Sequence, residues 1–272
     1  VTDTASFLPL FAALLVAGAA AGFAGGLFGI GGGFVVVPAL VLILPLLGTG
    51  VDQMTHVAVG TSLATIIFTS IRAVRSHAAR DSVDFSVLRG WAPWVVIGTG
   101  IGTLVADLVS GTTLATIFGV GVLLFAVHFL TPSLRDRVLA DTMPDGAARI
   151  GLAGGLGLLS ALLGIGGGTI ATMVMTLCGA PIHRAIGTAS GMGAIIAIPG
   201  TIGFMLIGLG EPGLPWGSIG YVNIPAAAAV VATSVLLAPL GVAAAHNLSP
   251  LLLRTTFGIY LVVVGVTMIA NR

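Results

Sequence analysis

Two runs of glycine carry the most distinctive chemistry available to this chain. Gly29-Ile30-Gly31-Gly32-Gly33 returns as Gly164-Ile165-Gly166-Gly167-Gly168, each inside a long apolar stretch with no charge near it. Glycine is about 1 kcal/mol worse than alanine in a helix interior, so each run breaks whatever helix reaches it. A break in lipid leaves unpaired N–H and C=O groups, which are tolerated only inside protein or beside a cavity. A new helix is expected to begin at Phe34 and at Thr169. A helix start presents free N–H groups and about half a positive charge. Gly31, Gly32, Gly33 and Gly166, Gly167, Gly168, lacking side chains, would let an anion approach that backbone. Thr169 could cap its helix or donate a hydroxyl. Close helix packing competes as an explanation for glycines four apart, such as Gly22/Gly26 and Gly25/Gly29. Packing does not need three consecutive glycines.

A second motif is also duplicated. His56-x-Ala58-x-Gly60-Thr61 is followed by Ser62, and His183-x-Ala185-x-Gly187-Thr188 by Ser190. Hydroxyls of Thr61, Ser62, Thr188 and Ser190 could bond the oxygens of an oxyanion. His56 and His183 could bond substrate or carry a proton, because imidazole titrates near neutrality. Against this stand an interfacial or capping histidine and threonines bonded to their own i−4 carbonyls. Asp107, His128 and His246 fall near helix ends and read as interfacial. Arg72 and Arg184 could draw an anion to one mouth, though a basic loop flank explains them equally.

The elements that must position these residues are membrane helices. The chain of 272 residues is 57% hydrophobic and only 7% charged, with a mean hydropathy of +1.15; a soluble domain is about 25% charged. Apolar segments are expected at about 6–28, 34–47, 57–72, 91–109, 113–131, 147–163, 169–178, 184–207, 222–245 and 251–270, with a possible kink at Pro199. Polar connections fall at 48–56, 73–90, 132–149 and 208–220. The seventh segment is too short to span and reads as a half-helix. The first apolar run has no basic flank and leads straight into the first glycine run, so it reads as a membrane helix rather than a cleaved leader.

The halves align in order. An offset of 135 pairs the glycine runs, 127 pairs the histidine motifs, and 139 pairs Asp84 with Asn223, Gly102 with Gly241 and Phe118-Gly119 with Phe257-Gly258. Two repeats of about five helical segments are expected, residues 1–131 and 147–272, joined by a linker at 132–146. An odd number of segments per half inverts the second relative to the first. Arginines 75, 80 and 89 make the 73–90 loop cytoplasmic by the positive-inside rule, and both termini then fall outside.

All ten cations are arginine, with no basic cluster that reads as a nucleic-acid arm. The single Cys178 excludes an intramolecular disulfide and a multi-cysteine metal site. No cofactor or metal is expected. Gly187-Thr188-Ala189-Ser190-Gly191 lacks the spacing of a serine-protease elbow, so an intramembrane enzyme is disfavoured. No acidic residue falls at mid-helix, which disfavours a cation site. The expected partners are a small anion and the lipid bilayer. The oligomeric state is left open.

The run from Gly22 to Gly33, followed by Pro38 and then His56 to Ser62, resembles the first half of the TauE/SafE sulfite exporter family. Gly157 to Gly168, and then His183 to Ser190, resembles its second half. The second copy departs by Ala189 where the first has Ser62, with Ser190 next door. The resemblance covers nearly the whole chain. It implies a multi-pass permease of the bacterial inner membrane that moves sulfite, thiosulfate or small organosulfonates, commonly outward and driven by the proton motive force. The residues alone say only that the cargo is a small anion. Alternating access is the leading expectation, and an anion channel with the same glycine filter is the alternative.

Overall fold

The structure is a computed structural model that describes residues 4–47, 51–131 and 138–270. Among these are ten α-helices: α1 Thr4–Phe28, α2 Gly33–Ile43, α3 Val51–Ala78, α4 Phe85–Asp107, α5 Gly111–Leu130, α6 Gly146–Leu163, α7 Gly168–Leu177, α8 Ile182–Ile207, α9 Ile224–Asn247 and α10 Pro250–Ala270. A 3-10 turn, Leu44–Leu47, follows α2. A short antiparallel hairpin, β1 (Ser218–Ile219) with β2 (Val222–Asn223), pairs Ser218 with Asn223 just before α9. Helices α1, α3, α5, α6, α8 and α9 are long and apolar enough to cross a membrane. Large apolar side chains such as Leu104, Leu124, Leu236 and Val263 stand on the outer surface, as lipid-facing positions should. The chain is an all-α integral membrane protein.

Each expected segment has its helix, but several bounds shift. The third helix was expected at about 57–72 and runs from 51 to 78, which shortens the loop expected at 73–90 to residues 79–84. The reason is its location. Most of α3 is buried inside the protein, so Thr55, His56, Thr65, Thr69 and His77 sit in it without facing lipid, and hydropathy understates its length. Part of the polar turn expected at 48–56 is likewise helical, and Gly48, Thr49 and Gly50 lie outside the described residues. So do Arg135, Asp136 and Arg137 of the linker. Helix α8 continues through Pro199 as one element. Helices α2 and α7, at 11 and 10 residues, are each about 15 Å long, half of a ~30 Å hydrocarbon core.

Packing joins the two halves of the chain. Helix α1 lies along α9, α4 along α6, α3 along α8, and α5 along α10. Gly18, Gly22 and Gly26 of α1 face the backbone of Val230, Ser234 and Ala238 in α9. This is the small-residue spacing that lets helix backbones approach. The contacts are reciprocal at the positions the sequence offsets pair. Gly22 meets Ser234 while Gly157 meets Val95, and Gly241 meets Phe23 while Gly102 meets Leu158.

At the centre the two glycine runs cross. Gly29, Gly31 and Gly32 have φ of 70°, 69° and 89°, and Gly164, Gly166 and Gly167 have 62°, 64° and 68°. This left-handed region is nearly closed to residues with a Cβ. It turns the chain between α1 and α2 and between α6 and α7. Gly33 and Gly168 are helical, and their constraint is contact. A Cβ on Gly33 would stand 2.6 Å from Ile165 Cα, and one on Gly168 2.6 Å from Ile30 Cα. Each loop therefore rests on the backbone of the other.

Gly33→Ala and Gly168→Ala are each expected to cut the yield of monodisperse, folded protein several-fold, since backbone must move to admit the methyl group. Gly100→Ala, which meets nothing within 4 Å, is expected to leave yield and melting temperature unchanged or slightly improved. Size-exclusion profiles and thermal melts in detergent check this.

Candidate functional site

The residues singled out in the sequence divide into those that hold the halves together and those that keep free polar capacity. Thr61 and Thr188 belong to the first group. Thr61 Oγ1 accepts the N–H of Asn223 at 2.9 Å, and Thr188 Oγ1 accepts the N–H of Asp84 at 2.8 Å. Asn223 and Asp84 are paired positions and both are side-chain N-caps, of α9 and α4 respectively. The Asp84 carboxylate also meets Arg184 at 2.8 Å. The Ser86 hydroxyl, then the Val87 N–H and Arg184, hold that carboxyl below the ordinary carboxylate range despite the opposing effect of burial. Ser62 donates to Gly164 O at 2.8 Å, fastening α3 to the second glycine loop. Ser190 donates to Ile186 O, four residues back in its own helix.

His56 is buried in α3, where its ring stacks on Tyr221 with centroids 5.0 Å apart. Its Nε2 bonds Ala106 O at 2.9 Å. His183 lies in the first turn of α8, away from His56, and stacks on His246. Phe34 opens α2 inside an aromatic cluster. Its ring lies 5.8 Å from Phe257, 6.2 Å from Phe125 and 6.3 Å from Phe118, and Tyr260 donates to its carbonyl.

Thr169 is different. It occupies the first turn of α7, fully buried, and its hydroxyl has no hydrogen-bond partner. Thr172, one turn on and on the same face, is also buried and unpartnered. Both line a crevice with Phe28, Ile30, Ile186 and Phe257, whose free space is about 10 Å³, room for roughly one water. Gly167, the N-cap of α7, offers no side-chain acceptor to the first N–H groups. The crevice thus combines two unspent hydroxyls with a positive helix end, next to the crossing of the glycine loops. A larger cavity of about 80 Å³ opens beside α2, lined by Pro38, Val41, Met54, Thr112, Ala115 and Thr267 among others. Thr55, Thr112 and Thr267 are its hydroxyl-bearing residues, and the Thr112 and Thr267 hydroxyls are already bonded. The two buried, unpartnered hydroxyls, rather than size, mark the Thr169 crevice as the candidate.

The offset of 135 pairs Thr169 with Phe34 and Thr172 with Val37. One half-helix starts with a phenyl ring and a valine on this face, the other with two hydroxyls. Thr172 was not singled out in the sequence, although its three-residue spacing from Thr169 was visible. Ser70 was missed as well; its buried hydroxyl is unpartnered and lies 3.0 Å from where a Gly31 Cβ would stand. Among the described residues, no group of three or more His, Cys, Asp or Glu is arranged to hold a metal.

The family model for the sulfite exporter TauE/SafE matches residues 14–268. A probable membrane transporter protein of Haemophilus influenzae is 33% identical over 256 residues, covering 93% of this chain and 96% of the relative. One from Methanocaldococcus jannaschii is 29% identical and covers 97% of each chain. One from Bacillus subtilis is 28% identical and covers 73% of this chain and 79% of the relative. No solved structure matches.

Thr61→Val and Thr188→Val should destabilise the protein by similar amounts, each about 1–3 kcal/mol, because each leaves one cap N–H buried without its acceptor. Thermal or denaturant unfolding in detergent measures both. A large effect from one and none from the other would break the equivalence.

Proposed function

The chain belongs to the TauE/SafE sulfite exporter family, and from that premise we propose that it carries a small sulfur-containing anion, such as sulfite, thiosulfate or an organosulfonate, by alternating access. That it is a membrane transporter follows from the family and the relatives. The cargo and the mechanism are our reading. The observation that carries it is the pair of buried, unpartnered hydroxyls, Thr169 and Thr172, in the first turn and a half of α7. Hydroxyl and amide donors at a positive helix end suit an oxyanion and leave a cation unsatisfied. The crevice as it stands is too small for such an anion and must widen to load.

Residues 1–131 and 147–272 act as two inverted repeats about the linker 132–146, with the glycine crossing as the joint between them. The reciprocal contacts of Thr61 and Thr188, and of Gly33 and Gly168, support this reading. The protein sits in the bacterial inner membrane with the Arg75, Arg80 and Arg89 side facing the cytoplasm and both termini outside. The crossing is packed backbone against backbone, and the two cavities lie beside different half-helices. That favours alternating access over an anion channel. Thr61, Ser62, Thr188 and Ser190 then serve the site by fixing the frame around Thr169, and Gly31 to Phe34 and Gly166 to Gly168 by shaping the crossing. His56 couples through α4, on whose Ala106 carbonyl it rests.

Thr169→Val and Thr172→Val, which keep side-chain shape, should each weaken sulfite or thiosulfate binding about tenfold or more, as loss of a hydrogen bond to a charged ligand does. Thr112→Val, in the larger cavity, should bind as the parent does. Titration of the purified protein with each anion and with a small organosulfonate decides it. Parent-like affinity in Thr169→Val would remove the site.

A further inference from the structure

A second cluster of side chains stands outside this crevice. His77 of α3, His183 of α8 and His246 of α9 meet where the two halves join. The rings of His183 and His246 stack 4.9 Å apart at 14°, and His77 lies 5.7 Å from His246. The rings do not converge on a common point, as metal ligands would. His77 is buried, and its Nε2 bonds Gly26 O at 3.2 Å. A carbonyl only accepts, so Nε2 carries the proton and Nδ1 keeps its lone pair. That Nδ1 has no partner, and neither has His246 Nε2.

Each histidine borders one apolar plug. Leu27, Ile186 and Ala245 pack together with Phe28, Ile182 and Ala244. His183 follows Ile182 in sequence, His246 follows Ala245, and His77 holds the carbonyl of Gly26, which precedes Leu27. Phe28, Ile182 and Ile186 also line the Thr169 crevice. The plug therefore stands between the histidines and the hydroxyls.

We propose that His77, His183 and His246 form a proton-binding site that opens this plug. In the packed state the three rings lie against one another. Their charged surroundings are cationic. Arg80, after α3, lies within electrostatic reach of both His77 and His246. Arg184 of α8 is tied to Asp84, which leaves that carboxylate no spare charge to offer. The last turns of α1 and α9, where Gly26 and His246 sit, and the first turn of α8 carry no acidic group. Protons taken up at His77 Nδ1 and His246 Nε2 put like charges on α3 and α9, with His183 and Arg80 beside them; of the carboxylates in the adjoining loop, Asp84 is paired with Arg184 and Asp81 is exposed at the surface. Repulsion then drives α8 and α9 away from α1 and α3, and Ile186 leaves the path to the crevice. This deepens the transport reading, because the plug guards the crevice assigned to the anion.

The test needs no anion, so it is independent of the titrations above. Ile186→Cys in a Cys178→Ser background is labelled with a membrane-impermeant methanethiosulfonate, and the rate is normalised at each pH to the same protein unfolded. The rate should rise about fivefold or more between about pH 8 and about pH 4, the lower limit set by the burial of His77 and its cationic neighbours. With His77→Gln and His246→Gln together it should change less than about twofold, and His246→Gln alone should lie between. His246→Lys, charged throughout, should label fast even at about pH 8. A flat profile in the parent, or an undiminished rise in whichever glutamine variant folds, overturns the proposal.

Discussion

Everything in this molecule depends on two loops touching backbone to backbone. Gly33 rests on Gly164 and Ile165, and Gly168 on Gly29 and Ile30. No side chain separates them, so the two half-helices begin as close together as polypeptide allows. Six further glycines hold the left-handed turns that bring the chain there. In lipid such irregular backbone survives only when protein covers it. Helices α3 and α8 supply that cover, with Ser62 fastening one loop by its carbonyl. The constraint also explains why α3 is so polar for a membrane helix: it lines other protein along most of its length.

Around that crossing the hydrogen bonds work in pairs. A threonine deep in each long helix receives the N–H of the residue that caps a helix of the opposite half. The caps are thereby positioned by the core rather than by solvent. Their own side chains, Asn223 and Asp84, are then free to serve α9 and α4. Only Asp84 is anionic, and only it reaches an arginine. Similar frames thus carry unlike charges at their two ends.

The helical segments were legible in the sequence because lipid enforces long apolar runs, and the breaks were legible because four glycines in five residues have few other uses. The length of α3 was not, since burial by protein permits polar residues that a hydropathy reading counts against it. The glycine runs were read as a place for an anion to approach. The geometry gives them a more basic duty, in that six must adopt positive φ and two must let backbones meet. Thr61 and Thr188 stood out through duplication, which signalled importance without revealing that their partners were backbone amides. Thr172, Ser70 and His77 were harder to see, and His246 was read only as interfacial. Their significance comes from contacts and missing partners across elements far apart in sequence.

The unlike openings of the two half-helices have a thermodynamic consequence. A carrier whose halves were identical would have inward-open and outward-open forms of equal energy, because exchanging the conformations of the halves would regenerate the same molecule. Phe34 and Val37 opposite Thr169 and Thr172 remove that degeneracy. A ring packed among Phe118, Phe125 and Phe257 resists separation more than a threonine beside an unfilled crevice does. Under the alternating access proposed above, the empty protein would therefore have a built-in resting side, and any cargo would have to bind with enough preference for the other form to overcome that bias.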